Sequence, residues 1–108
     1  NAHGTGTGNN DLSESIAIKR LFGDKIPPFS STKSFTGHTL ATAGSIQAVY
    51  SILTLNRGKA FANLRFETAI EDTGLIPLQH TTDGEFKKIL SNSFGFGGNS
   101  SSLLFGRA

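Results

Sequence analysis

A single α/β (α+β layered) domain over residues 1–108 is predicted by three observations. A helix, a short extended piece, a long apolar helix and then strands follow one another along the chain. Glycine or proline stands at most of the joints between them. The composition is that of a packed globule, 36% apolar with 13 glycines and a formal net charge of only +2, too apolar and too weakly charged for a disordered segment.

Residues 1–10, NAHGTGTGNN, are rich in Gly and Thr and are expected to form a loop. Asp11 followed by Glu14 has the spacing of a capping box that opens a helix. Leu12, Ile16, Ile18, Leu21 and Phe22 continue it, and Gly23 with Pro27-Pro28 stops it. Phe29–Lys33 is expected as a short strand leading into a loop at Ser34–Gly37. The strongest helix runs from about Thr39 to Asn56, with Gly58 as its stop. Leu40, Ala43, Ile46, Ala48, Val49, Ile52, Leu53 and Leu55 leave it few polar positions, so it is expected to be buried on most sides. Ala41, Gly44 and Ala48 form a small-residue stripe against which another backbone can pack. Lys59–Leu64 and Leu75–Leu78 are expected to be extended and joined by an acidic loop. Lys87–Ser93 and Ser101–Phe105 read as two strands, with Gly95, Gly97 and Gly98 making the connection tight.

The absences are equally informative. Cys is 0, which excludes disulfides, zinc–thiolate sites and a cysteine nucleophile among these residues. No apolar run approaches the roughly 18 residues of a membrane helix, and no charged-then-apolar leader is present, so neither a membrane span nor a signal peptide is expected. A charge of +2 gives no argument for nucleic acid. Met is 0 and the chain opens inside what reads as a motif, so a fragment of a longer protein is expected.

Three side chains stand out chemically. His38 follows Thr36-Gly37 at the expected start of the long helix, where the dipole favours a neutral imidazole, a hydrogen-bond donor. Lys33, five residues earlier, would depress its pKa further if close. His3 sits between a short apolar start and the Gly-rich loop. The plainer reading makes His38 a helix-capping residue and Lys33 a surface lysine. His80, in a polar loop, is expected at the surface. Gly4-Thr-Gly6-Thr-Gly8 is not a phosphate loop: no Lys-Ser/Thr pair follows, and Asp11 would repel phosphate. The histidines are too dispersed for a metal site. Phe94-Gly95-Phe96-Gly97-Gly98 puts two aromatics on a glycine-bracketed loop, either an ordinary strand connection or a mobile gate.

Three segments in order, Asn1-Ala-His-Gly-Thr5, then Ser31-Thr-Lys-Ser34 with Thr36-Gly-His38, then Ser91-Asn-Ser-Phe-Gly-Phe-Gly-Gly98, resemble the C-terminal half of β-ketoacyl-[acyl-carrier-protein] synthases. The resemblance covers essentially the whole chain. It implies a thiolase-like fold of two similar halves, of which this chain supplies roughly the second, with the nucleophilic cysteine in the first. It implies the enzyme's decarboxylative Claisen condensation in fatty acid or polyketide synthesis, with this chain inactive alone. His3 and His38 would be the donors to the malonyl thioester oxygen and Lys33 would order the site. The Phe96 backbone would complete the acyl oxyanion hole while its ring gates, with Phe94 on the same loop. Thr5, Thr36, Gly95 and Gly97 would line the substrate loops, and Gln47 and Asn92 would lie behind them. Implied partners are acyl carrier protein, the N-terminal half and a homodimer or heterodimer partner, in the cytoplasm. No cofactor is resident, phosphopantetheine arriving on the carrier protein, and no metal is expected. Gln47 replaces the usual glutamate, and Asn99-Ser100 the usual Thr-Asn. A chain-length-factor-like partner subunit without condensing activity and a pantetheine-binding module are the alternative readings. The residue in the nucleophile position separates the first of these from a synthase.

Overall fold

The computed structural model describes residues 1–108. Helix α1 spans Gly8–Phe22, a single helical turn α2 spans Lys33–Thr36, a 3-10 turn covers Leu40–Thr42, and helix α3 spans Ala43–Arg57. Strands follow as β1 (Lys59–Ala60), β2 (Thr82–Asp83), β3 (Lys88–Phe94) and β4 (Ser100–Gly106).

β3 and β4 form an antiparallel hairpin from Lys88 opposite Gly106 to Phe94 opposite Ser100. Backbone bonding continues past β3 through isolated contacts. The Asn1 amino group donates to Leu90 O (2.8 Å) and Asn92 N–H to Asn1 O (3.0 Å), the pattern of a parallel pair. Ala2 N–H donates to Ser30 O (2.8 Å), Leu78 N–H to Phe29 O (2.9 Å) and Asn63 N–H to Leu78 O (2.6 Å). One layer therefore runs in the order β4, β3, residues 1–2, residues 29–30, residue 78, residue 63. α3 lies on this layer: a Cβ on Gly44 would stand 3.3 Å from Ser93 Oγ on β3. Arg107, just past β4, donates from Nε and Nη2 to Leu55 O and ties the sheet to the last turn of α3.

Several sequence expectations are corrected. Helix α1 begins at Gly8 with Thr7 as N-cap, so Asp11 is already inside the helix and Glu14 is not half of a capping box. Phe29–Lys33 is not a strand: its backbone makes one bond to each flanking segment, and Lys33 opens α2. The long helix starts at Ala43 because Leu40 adopts φ 53, a left-handed conformation that a regular helix cannot contain. Lys59–Leu64 shrinks to the two residues of β1, which pair with β2, and Leu75–Leu78 carries no ladder.

The largest correction concerns burial. α3 buries Ala43, Gln47, Ser51, Thr54 and Leu55 and exposes Val49, Ile52 and Leu53. Of the 15 buried residues only Ala2, Ala43, Leu55 and Ala62 are apolar, and the largest side chains fully removed from solvent are Gln47 and Ser51. The accessible surface is 7104 Å², whereas a self-contained folded chain of 11.4 kDa would show about 5,800 Å². Large apolar side chains stay exposed on several elements, among them Leu21 on α1, Val49 and Ile52 on α3, and Leu103 and Leu104 on β4.

Candidate active site

The site begins at the turn that follows Asn1. Gly4 has φ +40, and a Cβ there would stand 2.5 Å from Ser31 Cβ, so only glycine lets residues 1–5 press against the 29–33 segment. Ser31 Oγ lies 2.8 Å from Gly4 O and 3.2 Å from His3 O as their donor. From the other side Glu14, one and a half turns into α1, turns its carboxylate back: Oε1 accepts from His3 N–H and Oε2 from Gly4 N–H, both at 2.9 Å. Asn92 Nδ2 on β3 donates to the same Oε1 (3.2 Å). His3 is thus held by its backbone and buried to 5% exposure.

Lys33 sits beneath it. Its Nζ has three neutral acceptors, His3 O (2.6 Å), Gln47 Oε1 (2.8 Å) and His3 Nδ1 (3.2 Å), which matches the three donors of an ammonium. An ammonium cannot accept, so His3 Nδ1 is the acceptor and its proton resides on Nε2. His38 reaches the same tautomer by another route, since Leu40 N–H donates to its Nδ1 (3.1 Å). The two imidazoles stand edge to face with centroids 5.5 Å apart, and Phe94 stacks edge-on to the other side of His3 at 5.4 Å. The result is two neutral rings, each presenting an Nε2–H donor.

The electrostatics of His3 agree with its assignment. Burial first, then the Lys33 ammonium, lowers the His3 pKa below the usual histidine value. His38 adds to the lowering, while Glu14 and Asp11 oppose it. Burial likewise lowers the Lys33 pKa, with Glu14 opposing. The histidine that Lys33 touches is His3, not His38 as its position in the sequence suggested. Nor does His38 sit at the N-terminus of the long helix: it lies exposed ahead of the 3-10 turn, with its ring nitrogen as a local cap.

Gln47 joins the remaining parts. At 1% exposure, its Oε1 accepts from Lys33, and Nε2 donates to Asn92 O (2.7 Å) with longer contacts to Ala2 O and Ser91 Oγ (both 3.4 Å). Its own carbonyl accepts from Ser51 Oγ (2.8 Å) and Asn1 Nδ2 (3.1 Å). Asn92 accepts from Ser102 Oγ through Oδ1 (2.8 Å), so it locks the hairpin as well.

The structure therefore brings His3, His38, Lys33, Phe94, Gln47 and Asn92 together. Phe96 lies apart, its ring 97% exposed on the 3-10 turn Phe96–Gly98, where Gly97 and Gly98 have φ 81 and 85. Gly95 N–H closes that turn on Asn99 O (2.7 Å). Thr5 pairs with Thr7 through their hydroxyls (2.8 Å), and Thr36 Oγ1 donates to Gly37 O (2.9 Å). Glu14 is the residue that sequence reasoning missed. Its signal was the Gly-rich loop itself, whose backbone N–H groups require an acceptor once buried. No cluster of three His, Cys, Asp or Glu side chains could hold a metal ion, and no helix is long and apolar enough to cross a membrane.

Residues 1–67 match the β-ketoacyl synthase, C-terminal domain, family. The chain is 44% identical over 105 residues to 3-oxoacyl-[acyl-carrier-protein] synthase 1 of Escherichia coli (strain K12), a match covering 96% of this chain and 26% of that protein. Among solved structures it resembles a ketosynthase in complex with its chain length factor from Xenorhabdus doucetiae (TM-score 0.85, 42% identity, 100% of this chain and 28% of the other). It also resembles a type II polyketide acyl-carrier protein in complex with its ketosynthase (TM-score 0.93, 32% identity, 99% and 27%). The chain thus spans about a quarter of the length of the proteins it matches. Its layered α/β fold is thiolase-like, and the chain belongs to the family of the β-ketoacyl synthase C-terminal domain.

Proposed function

We propose that this chain supplies the decarboxylating half of a condensing enzyme's chemistry. A malonyl thioester on the phosphopantetheine of acyl carrier protein loses carbon dioxide as its C2–carboxylate bond breaks, and the electron pair passes into an enolate. The enolate oxygen takes the negative charge, and the Nε2–H donors of His3 and His38 meet it. C2 then attacks the carbonyl carbon of an acyl group held as a thioester, and the thiolate leaves. That thiolate belongs to a cysteine outside these residues, which contain none, so the 108 residues are inactive by themselves. Phe96 supplies its backbone N–H to the acyl oxyanion and its exposed ring as the gate over the acyl path. The enzyme works as a homodimer or heterodimer in the cytoplasm, where it meets the soluble carrier protein.

The observation that carries this reading is that both Nδ1 atoms are already occupied as acceptors, from Lys33 and from Leu40 N–H. The two rings can then act only as neutral Nε2–H donors, suited to developing negative charge. In the complete enzyme His3→Ala and His38→Ala are each expected to slow malonyl decarboxylation by about 10²–10³-fold, the loss seen on removal of an oxyanion donor. Acyl loading, followed by transfer of a radiolabelled acyl group, should change little. Decarboxylation at the normal rate in both variants would overturn the reading in favour of a carrier-protein-binding or partner-subunit role.

A further inference from the structure

Lys33 is an ammonium buried to 8% exposure whose three contacts are all neutral. Glu14 is the carboxylate nearest in influence, and it is spent on the N–H groups of His3 and Gly4 and on Asn92 Nδ2. The third contact of Lys33 is Gln47, and the orientation of that amide is dictated from both ends. Lys33 can only donate, so Oε1 must face it. Asn92 O and Ala2 O can only accept, so Nε2 must face them. A carboxylate at this position would set a second oxygen against Asn92 O, and its charge beside Lys33.

We propose that Gln47 is a positioning residue whose neutral amide aims Lys33 at His3 Nδ1 without giving the ammonium a bonded carboxylate, so that His3 remains an Nε2–H donor to lower pH than a carboxylate there would permit. This rests on the donor role given to His3 above.

The sign follows from the surroundings of His3. Lys33 from α2 and His38 from the loop before α3 disfavour imidazolium, whereas Glu14 and Asp11 from α1 favour it. The Phe94 ring of β3 carries no charge, and Gln47 of α3 contributes none. Protonation of Nδ1 would set two donors, Nδ1–H and Lys33 N–H, against each other. The acid limb of decarboxylation therefore reports loss of the Lys33–His3 bond. A glutamate at position 47 would partly cancel the Lys33 field and let His3 protonate earlier.

The test compares wild-type and Gln47→Glu in the complete enzyme, with His3 followed by NMR of ring-13C-labelled histidine. Gln47→Glu is expected to raise the proton affinity of His3 by about 3- to 10-fold, half to one pKa unit. The acid limb of decarboxylation should move upward by the same amount. An identical His3 titration and an identical limb would overturn the proposal. If Gln47→Glu does not fold, Gln47→Met, of similar length but without the amide, reads the aim alone. Decarboxylation should fall about 10-fold or more as the Lys33 contact is lost, with acyl loading intact, and a wild-type rate would overturn the proposal. The two readings separate cleanly: His3→Ala tests the donor role without reference to Gln47, so a dead His3→Ala with an unmoved Gln47→Glu profile refutes only this inference.

Discussion

Helix α3 has two faces that invert the usual arrangement. The inner face buries Gln47, Ser51 and Thr54 beside Ala43 and Leu55, and the outer face leaves Val49, Ile52 and Leu53 partly exposed. The inner face has partners within the chain for its polar atoms, from Lys33, Asn92, Asn1 and Ser51. The outer face is only half covered, with Val49 56%, Ile52 45% and Leu53 37% exposed. β4 repeats the contrast: it pairs on one edge with β3, while Leu103 and Leu104 stay exposed. What orders the site is therefore a hydrogen-bond network, and the hydrophobic contribution of these faces is left to whatever covers them. Changes in the network should cost more than changes on the outer face, which is half covered in this chain.

The sharpest break in the network is Glu14→Ala. It leaves the buried N–H of His3, the part-buried N–H of Gly4 and one arm of Asn92 without an acceptor. Each stranded donor costs about 1–3 kcal/mol, so a loss of about 2–4 kcal/mol is expected after partial relaxation. Urea denaturation checks it. Glu14→Gln should recover part of the loss, because one amide oxygen can still accept from one of the two N–H groups. A stability equal to wild type in Glu14→Ala would show that the turn at Gly4 is held by Ser31 alone.

How much of this was legible in the sequence depends on which atoms made the contact. The β3–β4 hairpin falls within one residue of its expected ends, because a glycine cluster between two β-prone runs is a local signal. The stops of α1 and α3 at Gly23 and Gly58 were legible for the same reason: both glycines have positive φ. Glu14 was assigned to its own helix end because its spacing from Asp11 fits a local rule, whereas its partners lie 10 and 11 residues away in the preceding loop. The start of α3 was misplaced because nothing in the sequence marks Leu40 for the left-handed backbone it adopts. The burial of α3 was misjudged most, since counting apolar residues measures what a helix can bury, not what this chain provides to bury it. That His3, His38, Lys33, Phe94, Gln47 and Asn92 gather was legible from the motifs, but the hydrogen bonds that set the tautomers of His3 and His38 were not.

A pH dependence of stability should follow the network as well. The folded-state pKa of His3 is depressed, chiefly by burial and Lys33, so the unfolded chain binds a proton more readily. Stability from this group is complete above the unfolded histidine value of about 6.5 and is lost as pH falls from there toward the depressed folded value. Urea midpoints at pH 7.5 and 5.5 are expected to differ, and His3→Asn, which cannot take up the proton, should reduce that difference. An undiminished difference in His3→Asn would assign the effect to other groups.

The smallest expected effect is the most diagnostic of the outer face. Ile52→Ser removes an apolar side chain that is already 45% exposed, so its cost should be about half that of a fully buried isoleucine, roughly 1 kcal/mol. The penalty usual for polar substitution of a core isoleucine should therefore be reduced. Association should respond instead. Contiguous apolar surface on a small chain drives self-association, and Val49, Ile52 and Leu53 lie on adjacent turns. Sedimentation velocity across a wide concentration range should show wild type forming larger species, with Ile52→Ser shifted toward monomer. If Ile52→Ser instead destabilised the monomer by about as much as a core substitution, roughly 2 kcal/mol or more, then the outer face of α3 would be packed within the chain itself, and the contrast between the two faces would collapse. A monomer at all concentrations in both proteins would leave the stability contrast standing but deny the outer face any part in association.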